Sequence, residues 1–215
     1  RKESFDVENL EALFYGKLNL LDEPIEDEYH TKLASHWNYL KIKYNLESEF
    51  GLHPQFFKIR PDNFPTIRLS QFANLIANNQ NLFSQLIQAN SYAQIKQLLK
   101  SETSEYWKNH YNFSKTSKSK SKGLTNQFID LIIINTVIPI KFCYAKHQGK
   151  LNIEELICLL EEMLPEKNSI LQKFSDFNIK TNNAFQSQSL LELKNEYCNK
   201  NKCLNCAVGL QLLKN

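Results

Sequence analysis

In Tyr29-His-Thr-Lys-Leu-Ala-Ser-His-Trp-Asn-Tyr-Leu-Lys-Ile-Lys-Tyr44, apolar side chains recur at Tyr29, Leu33, Trp37, Leu40 and Tyr44. Steps of three and four residues mark one face of a long α-helix. The same period returns in Leu69, Phe72, Ala73 and Ile76, just after Pro65, which suits a first helical turn. Ile153, Leu156, Ile157 and Leu160 form a further stripe. Ser91 with Gln94, and Asn152 with Glu155, have the spacing of capping boxes. Gly16, Gly51 and Gly149 each follow an apolar helical segment, where C-terminal caps belong. Few stretches alternate with a period of two. The pattern predicts an all-α fold, an irregular bundle of about nine helices with little or no sheet. Residues 1–215 are expected to form a single helical domain.

Composition supports that reading and narrows the function. The chain has 215 residues, 42% apolar and 23% charged, values ordinary for a globular fold with a sizeable core. A formal charge of +3 creates no global field that would demand a nucleic-acid partner. The sequence contains no GxGxxG, P-loop, HExxH, GxSxG or EF-hand pattern. Leu131 to Ile140, the most apolar stretch, is too short by itself to cross a bilayer and contains Asn135, Thr136 and Pro139. No signal peptide is visible, so no membrane association is expected. Five unpatterned cysteines suit a reducing cytoplasm better than a disulfide framework. The chain enters a helical pattern almost at Arg1, as expected for part of a longer protein. Ser114 to Gly123, Ser-Lys-Thr-Ser-Lys-Ser-Lys-Ser-Lys-Gly, reads as a solvated, mobile basic loop.

Three groups of residues carry chemical interest. Cys198, Cys203 and Cys206 follow a C-x4-C-x2-C spacing. Three soft thiolates suit zinc, or an iron–sulfur cluster completed by one more ligand. Cys203 and Cys206 also share a helical face with Leu210 and Leu213, where cysteine would pack as a small hydrophobe. The second group is Arg60, Asn63, Arg68 and Gln71, around Pro61 and Pro65. The two internal arginines, with free N–H groups at a helix start, could hold an anion such as phosphate. Alternatively they bond to protein carbonyls and carboxylates and organise the loop. The third group is Trp107, His110 and Tyr111, with Tyr106 and Phe113, ahead of the Lys-rich segment. It reads as a stacking platform for single-stranded nucleic acid or as a buried aromatic anchor. His36, on the face of Leu33 and Leu40, reads as a packed core residue. No carboxylate pair or nucleophile arrangement can be argued, so an independent enzyme is the least supported reading.

Leu10-Glu-Ala-Leu-Phe-Tyr-Gly16, Arg60-Pro-Asp-Asn-Phe-Pro65, Arg68-Leu-Ser-Gln71, and Trp107 with His110, Tyr111 and Phe113 occur in order. Ile134-Asn-Thr-Val-Ile-Pro139, Leu164-Pro-Glu-Lys-Asn168, Ser187-Gln188 and Tyr197-Cys198 with Cys203, Cys206 and Gly209 continue the series. The ordered set resembles the C-terminal half of a bacterial family, domain of unknown function family 2851. The resemblance implies a longer protein whose N-terminal half is restriction-endonuclease-like. This chain would then be an accessory helical module, binding nucleic acid in support of that domain. The alternative is a structural or protein-interaction module without a ligand, stabilised or not by metal at the C-terminal cysteines.

Overall fold

The computed structural model describes residues 6–46 and 53–213. In chain order it contains α1 (Val7–Lys17), α2 (Glu28–Tyr44), α3 (Pro65–Asn78), α4 (Leu82–Gln88), α5 (Tyr92–Leu99) and α6 (Glu105–Lys108). A short antiparallel hairpin follows, β1 (His110–Asn112) and β2 (Lys115–Thr116). Then come α7 (Asn126–Ile132), α8 (Ile138–His147), α9 (Ile153–Glu161), α10 (Ser169–Asp176), α11 (Ala184–Glu192) and α12 (Ala207–Leu213). A π turn at Ile133–Val137 joins α7 and α8 into one rod, and another at Leu193–Cys198 extends α11. Counted as continuous rods, the helices among the described residues number eleven, and the fold is all-α.

The chain divides into two compact units. The first comprises Arg1–Leu86 and Lys96–Ile129; the second comprises Ile87–Ile95 and Asp130–Asn215. In the first, α1 packs on both α2 and α3. Ala12, Tyr15, Leu21, Leu33, Trp37, Leu40, Ile67 and Trp107 form its core. Leu33, Trp37 and Leu40 are therefore the buried stripe that the sequence shows, while Tyr44 at its end is exposed. In α3 the predicted stripe is only part of the buried face: Ala73 is buried, and Leu69 and Ile76 are half-buried. Ser70 and Gln71 are inside, and Phe72 is half exposed, stacked on Phe14. Those two polar residues are buried because their side chains meet partners inside the unit.

Gly16 lies within the last turn of α1 and does not act as a left-handed cap. A Cβ there would sit 2.1–2.5 Å from the Trp37 ring, so the missing side chain is the room that Trp37 fills. Gly149 has φ +66° and does end its helix in the left-handed conformation. Gly51 lies outside the described residues. Both expected capping boxes form in part. Ser91 Oγ accepts from Gln94 N and Asn152 Oδ1 from Glu154 N, but Gln94 and Glu155 reach Asn90 N and the Asn152 amide, respectively.

In the second unit α9 packs on α8 and α11, and α10 packs on α11. Leu159, Met163, Leu171 and Ala184 are buried there. Pro139 has no N–H to donate, and its ring crowds the preceding turn; the π turn before it widens the helix to fit. Asn135 Nδ2 donates to Leu131 O within this stretch, at 2.9 Å. Leu131–Ile140 lies within a longer helix. Helix Asn126–His147 runs 22 residues and is long and apolar enough to cross one, with 17% of its apolar window buried. Core helices of soluble proteins meet that same criterion of length and composition.

Candidate functional site

At the centre of the first unit is a carboxylate that the sequence reading passed over. Glu11 is fully buried. Its Oε1 accepts from Ser70 Oγ at 2.5 Å. Its Oε2 accepts from Tyr29 Oη at 2.6 Å and from Trp107 Nε1 at 3.2 Å. Ser104 N donates in turn to Ser70 Oγ at 2.9 Å. Burial holds the Glu11 pKa above the ordinary carboxylate value, and the hydrogen bonds from Ser70 and Tyr29 pull against that rise. Beside it, Tyr15 donates to Thr66 O at 2.7 Å, and Thr66 Oγ1 donates to Tyr111 O at 2.6 Å. One polar core thus ties α1, α2, α3, α6 and β1 together. The sequence shows only that Glu11 lies four residues before Tyr15, on the same face of α1.

The Arg60–Gln71 group separates into two parts. Arg68, Asn63 and Gln71 come together. Arg68 donates to Asn63 Oδ1 at 2.5 Å and to Gln71 Oε1 at 2.9 Å. Its guanidinium carbon lies 3.7 Å from the Phe128 ring centroid. Gln71, itself buried, donates to Lys122 O at 2.9 Å. Burial lowers the Arg68 pKa. Arg60 stands apart, exposed.

The aromatic group is mostly interior. Trp107 is fully buried, with Tyr15, Tyr106 and Phe113 around its ring. His110 stacks on Tyr106 at 4.0 Å, with its Nδ1 2.9 Å from Tyr106 O. Tyr106 donates to Asp27 Oδ2 at 2.5 Å, and Ser114 N donates to the same oxygen at 2.8 Å. Tyr111 donates to Asp62 Oδ1 at 2.9 Å.

The basic segment 114–123 is not wholly solvated. Its first residues form β2, and Ser117 N donates to Asn109 O at 2.7 Å. Lys120 Nζ reaches Asp62 Oδ2 at 2.8 Å. Lys122 is only 4% exposed. Its ammonium donates to the carbonyls of Trp107, Lys108 and His110. A lysine can end a basic run and still be interior when backbone carbonyls replace its water. Gly123-Leu124, which follows it, is the sequence sign that the run there meets packed structure.

The three cysteines do not gather. Cys198 and Cys203 are exposed and Cys206 is buried. Among the described residues no three His, Cys, Asp or Glu side chains cluster as metal ligands. Cys206 N and Leu210 N continue the turn that opens α12. Gly209 brings α12 against the Cys203 carbonyl, where a Cβ would sit 2.3 Å from the oxygen. His36 is not a core residue: its side chain is 38% exposed and lies 3.4 Å from Glu8.

In the second unit two further sequence motifs meet. Glu166 accepts from Asn168 Nδ2 at 3.1 Å and from Gln188 Nε2 at 2.8 Å, and Glu166 N donates to Ser187 Oγ at 3.2 Å. Asn168 Oδ1 also caps α10. Within each unit these motif residues are thus spent largely on one another.

The family model described as Protein of unknown function (DUF2851) matches residues 1–169. No curated protein and no solved structure matches the chain.

Proposed function

We propose that this chain, which belongs to the DUF2851 family, is a helical scaffold and protein-interaction module whose polar motifs serve its own interior. One observation carries the reading: Arg68 is held by Asn63, Gln71 and Phe128, within the same unit as the buried Glu11 node. Two of its N–H groups and one face of its guanidinium are engaged within the unit, which favours a structural role for it. The exposed apolar residues Leu204, Val208, Leu212 and Leu213, in and beside α12, support a protein partner. An N-terminal domain of the same protein, expected from the resemblance, is the partner of choice.

Thermal unfolding of Arg68→Ala tests the scaffold role. Loss of its hydrogen bonds costs about 1–3 kcal/mol, a fall of several degrees in Tm. An Arg68→Ala protein with unchanged Tm that had lost a salt-sensitive oligonucleotide affinity would overturn the reading and restore Arg68 to a binding site.

A further inference from the structure

On the first unit, a surface pocket of about 300 Å³ opens between the turn at Pro61–Asn63 and the β1–β2 hairpin. Pro61, Phe64 and Tyr111 supply its apolar wall, and Asn112, Lys115 and Ser117 its polar side. The volume lies at the small end of ligand pockets and is enough for one heteroaromatic base. We propose that this pocket takes a planar nitrogenous base and that Lys115 and the neighbouring Arg60 take the phosphate attached to it. The ligand is a nucleotide unit, either free or within a single strand.

Four observations lead there. The first is charge. Arg60 and Lys115 are exposed and form no ion pair among the described residues. The second is the fate of the nearest acid. Asp62 would repel a phosphate, but Lys120 pairs with it and Tyr111 donates to it. Those contacts, led by the Lys120 hydrogen bond, hold its pKa below the ordinary carboxylate value. The third is rigidity. Phe64 packs edge-on against Phe56 at 5.1 Å and against Tyr111 at 6.4 Å. Tyr111 O accepts from Thr66, and the Lys122 ammonium lies 4.0 Å from the Tyr111 ring centroid. An aromatic wall fixed in this way loses little entropy on stacking. The fourth is a polar edge: the exposed Asn112 amide, which lines the pocket, offers hydrogen bonds to a base.

This inference stands apart from the scaffold reading, because none of its ligand contacts uses Arg68, Gln71 or Trp107. The test is fluorescence polarisation with labelled single-stranded RNA and DNA, duplex DNA and an abasic strand, using the full chain. Single strands should bind more tightly than either the duplex or the abasic strand. Two phosphate contacts on a single strand give a salt slope of about −1.4, roughly a sevenfold loss from 50 to 200 mM salt. The double variant Arg60→Ala with Lys115→Ala, both exposed positions, should keep its Tm, weaken binding about tenfold and flatten that slope. Displacement by millimolar AMP or UMP identifies a free nucleotide as the source; a strand that resists both identifies a polymer. Equal affinity for the abasic strand, an unaffected double variant, or no binding at low salt by either the strands or labelled AMP and UMP would each overturn the proposal.

Discussion

Gly16 sets how closely α1 and α2 can pack. With a Cβ 2.1–2.5 Å from Trp37, Gly16→Ala must displace a 4%-exposed indole. Overpacking of this kind costs about 1–3 kcal/mol, and urea unfolding should show a lower midpoint with little change in slope. A wild-type midpoint would mean that Trp37 is free to move aside. Asp27 governs a different boundary. It caps α2 through His30 N and also accepts from Tyr106 and Ser114. Burial pushes its pKa up, but those hydrogen bonds prevail and the net value lies below 3.8. The folded state therefore binds fewer protons than the unfolded one, and stability rises with pH across that window. The Asp27 contribution is present above about pH 4 and is lost as pH falls through the lower folded value. Asp27→Asn should flatten unfolding free energy measured between about pH 2 and pH 4. Glu11 has the opposite sign: its raised pKa stabilises most below 4.5 and fades as pH rises through the folded value. Neither acid was legible as special in the sequence, because hydrogen-bond donors from distant segments set both environments.

Among the elements, the hairpin departs most from the sequence reading. Segment 114–123 has a composition that cannot build a core, yet it is anchored at both ends. Ser114 N bonds Asp27, and Lys122 is inside. Lys122→Met keeps much of the volume and removes the ammonium from the carbonyls of Trp107, Lys108 and His110. The expected cost is about 1–3 kcal/mol, read by thermal unfolding, and amide exchange in β1 and β2 should quicken. Unaltered exchange would show that the hairpin holds without it. At the other end of the chain, Gly209→Ala places a Cβ 2.3 Å from the Cys203 carbonyl, a backbone atom that cannot rotate away. Amide exchange across α12 should rise sharply in that variant while α1 to α3 stay protected. The helical stripe of α2 was readable because helix period and burial coincide there; in α9 the buried residue is Leu159, beside the stripe, and Ile153 is exposed. In α3 period and burial coincide only in part: Ser70 and Gln71 are interior because Glu11 and the Lys122 carbonyl receive them.

Across the whole molecule, the cysteines give a direct check on the C-terminal region. Cys143, Cys158, Cys198 and Cys203 are exposed and Cys206 is buried. A thiol reagent on the native protein should label four sites quickly and Cys206 slowly; protection of Cys198 and Cys203 together would instead show that something holds them. The sequence by itself determined that this is an all-α chain of short amphipathic helices, and its ordered motifs pointed to the family. Both follow from local spacing, which survives in one dimension. The tertiary structure alone decided that the chain forms two units. It also decided that Glu11 is the centre of a buried polar node, and that Arg68, Trp107 and His110 are occupied internally while Arg60 faces outward. The reason is physical. A residue type states what bonds a side chain can make, but whether it makes them with the protein or with a ligand depends on partners 50 to 100 residues away, as for Glu11 with Ser70 and Trp107.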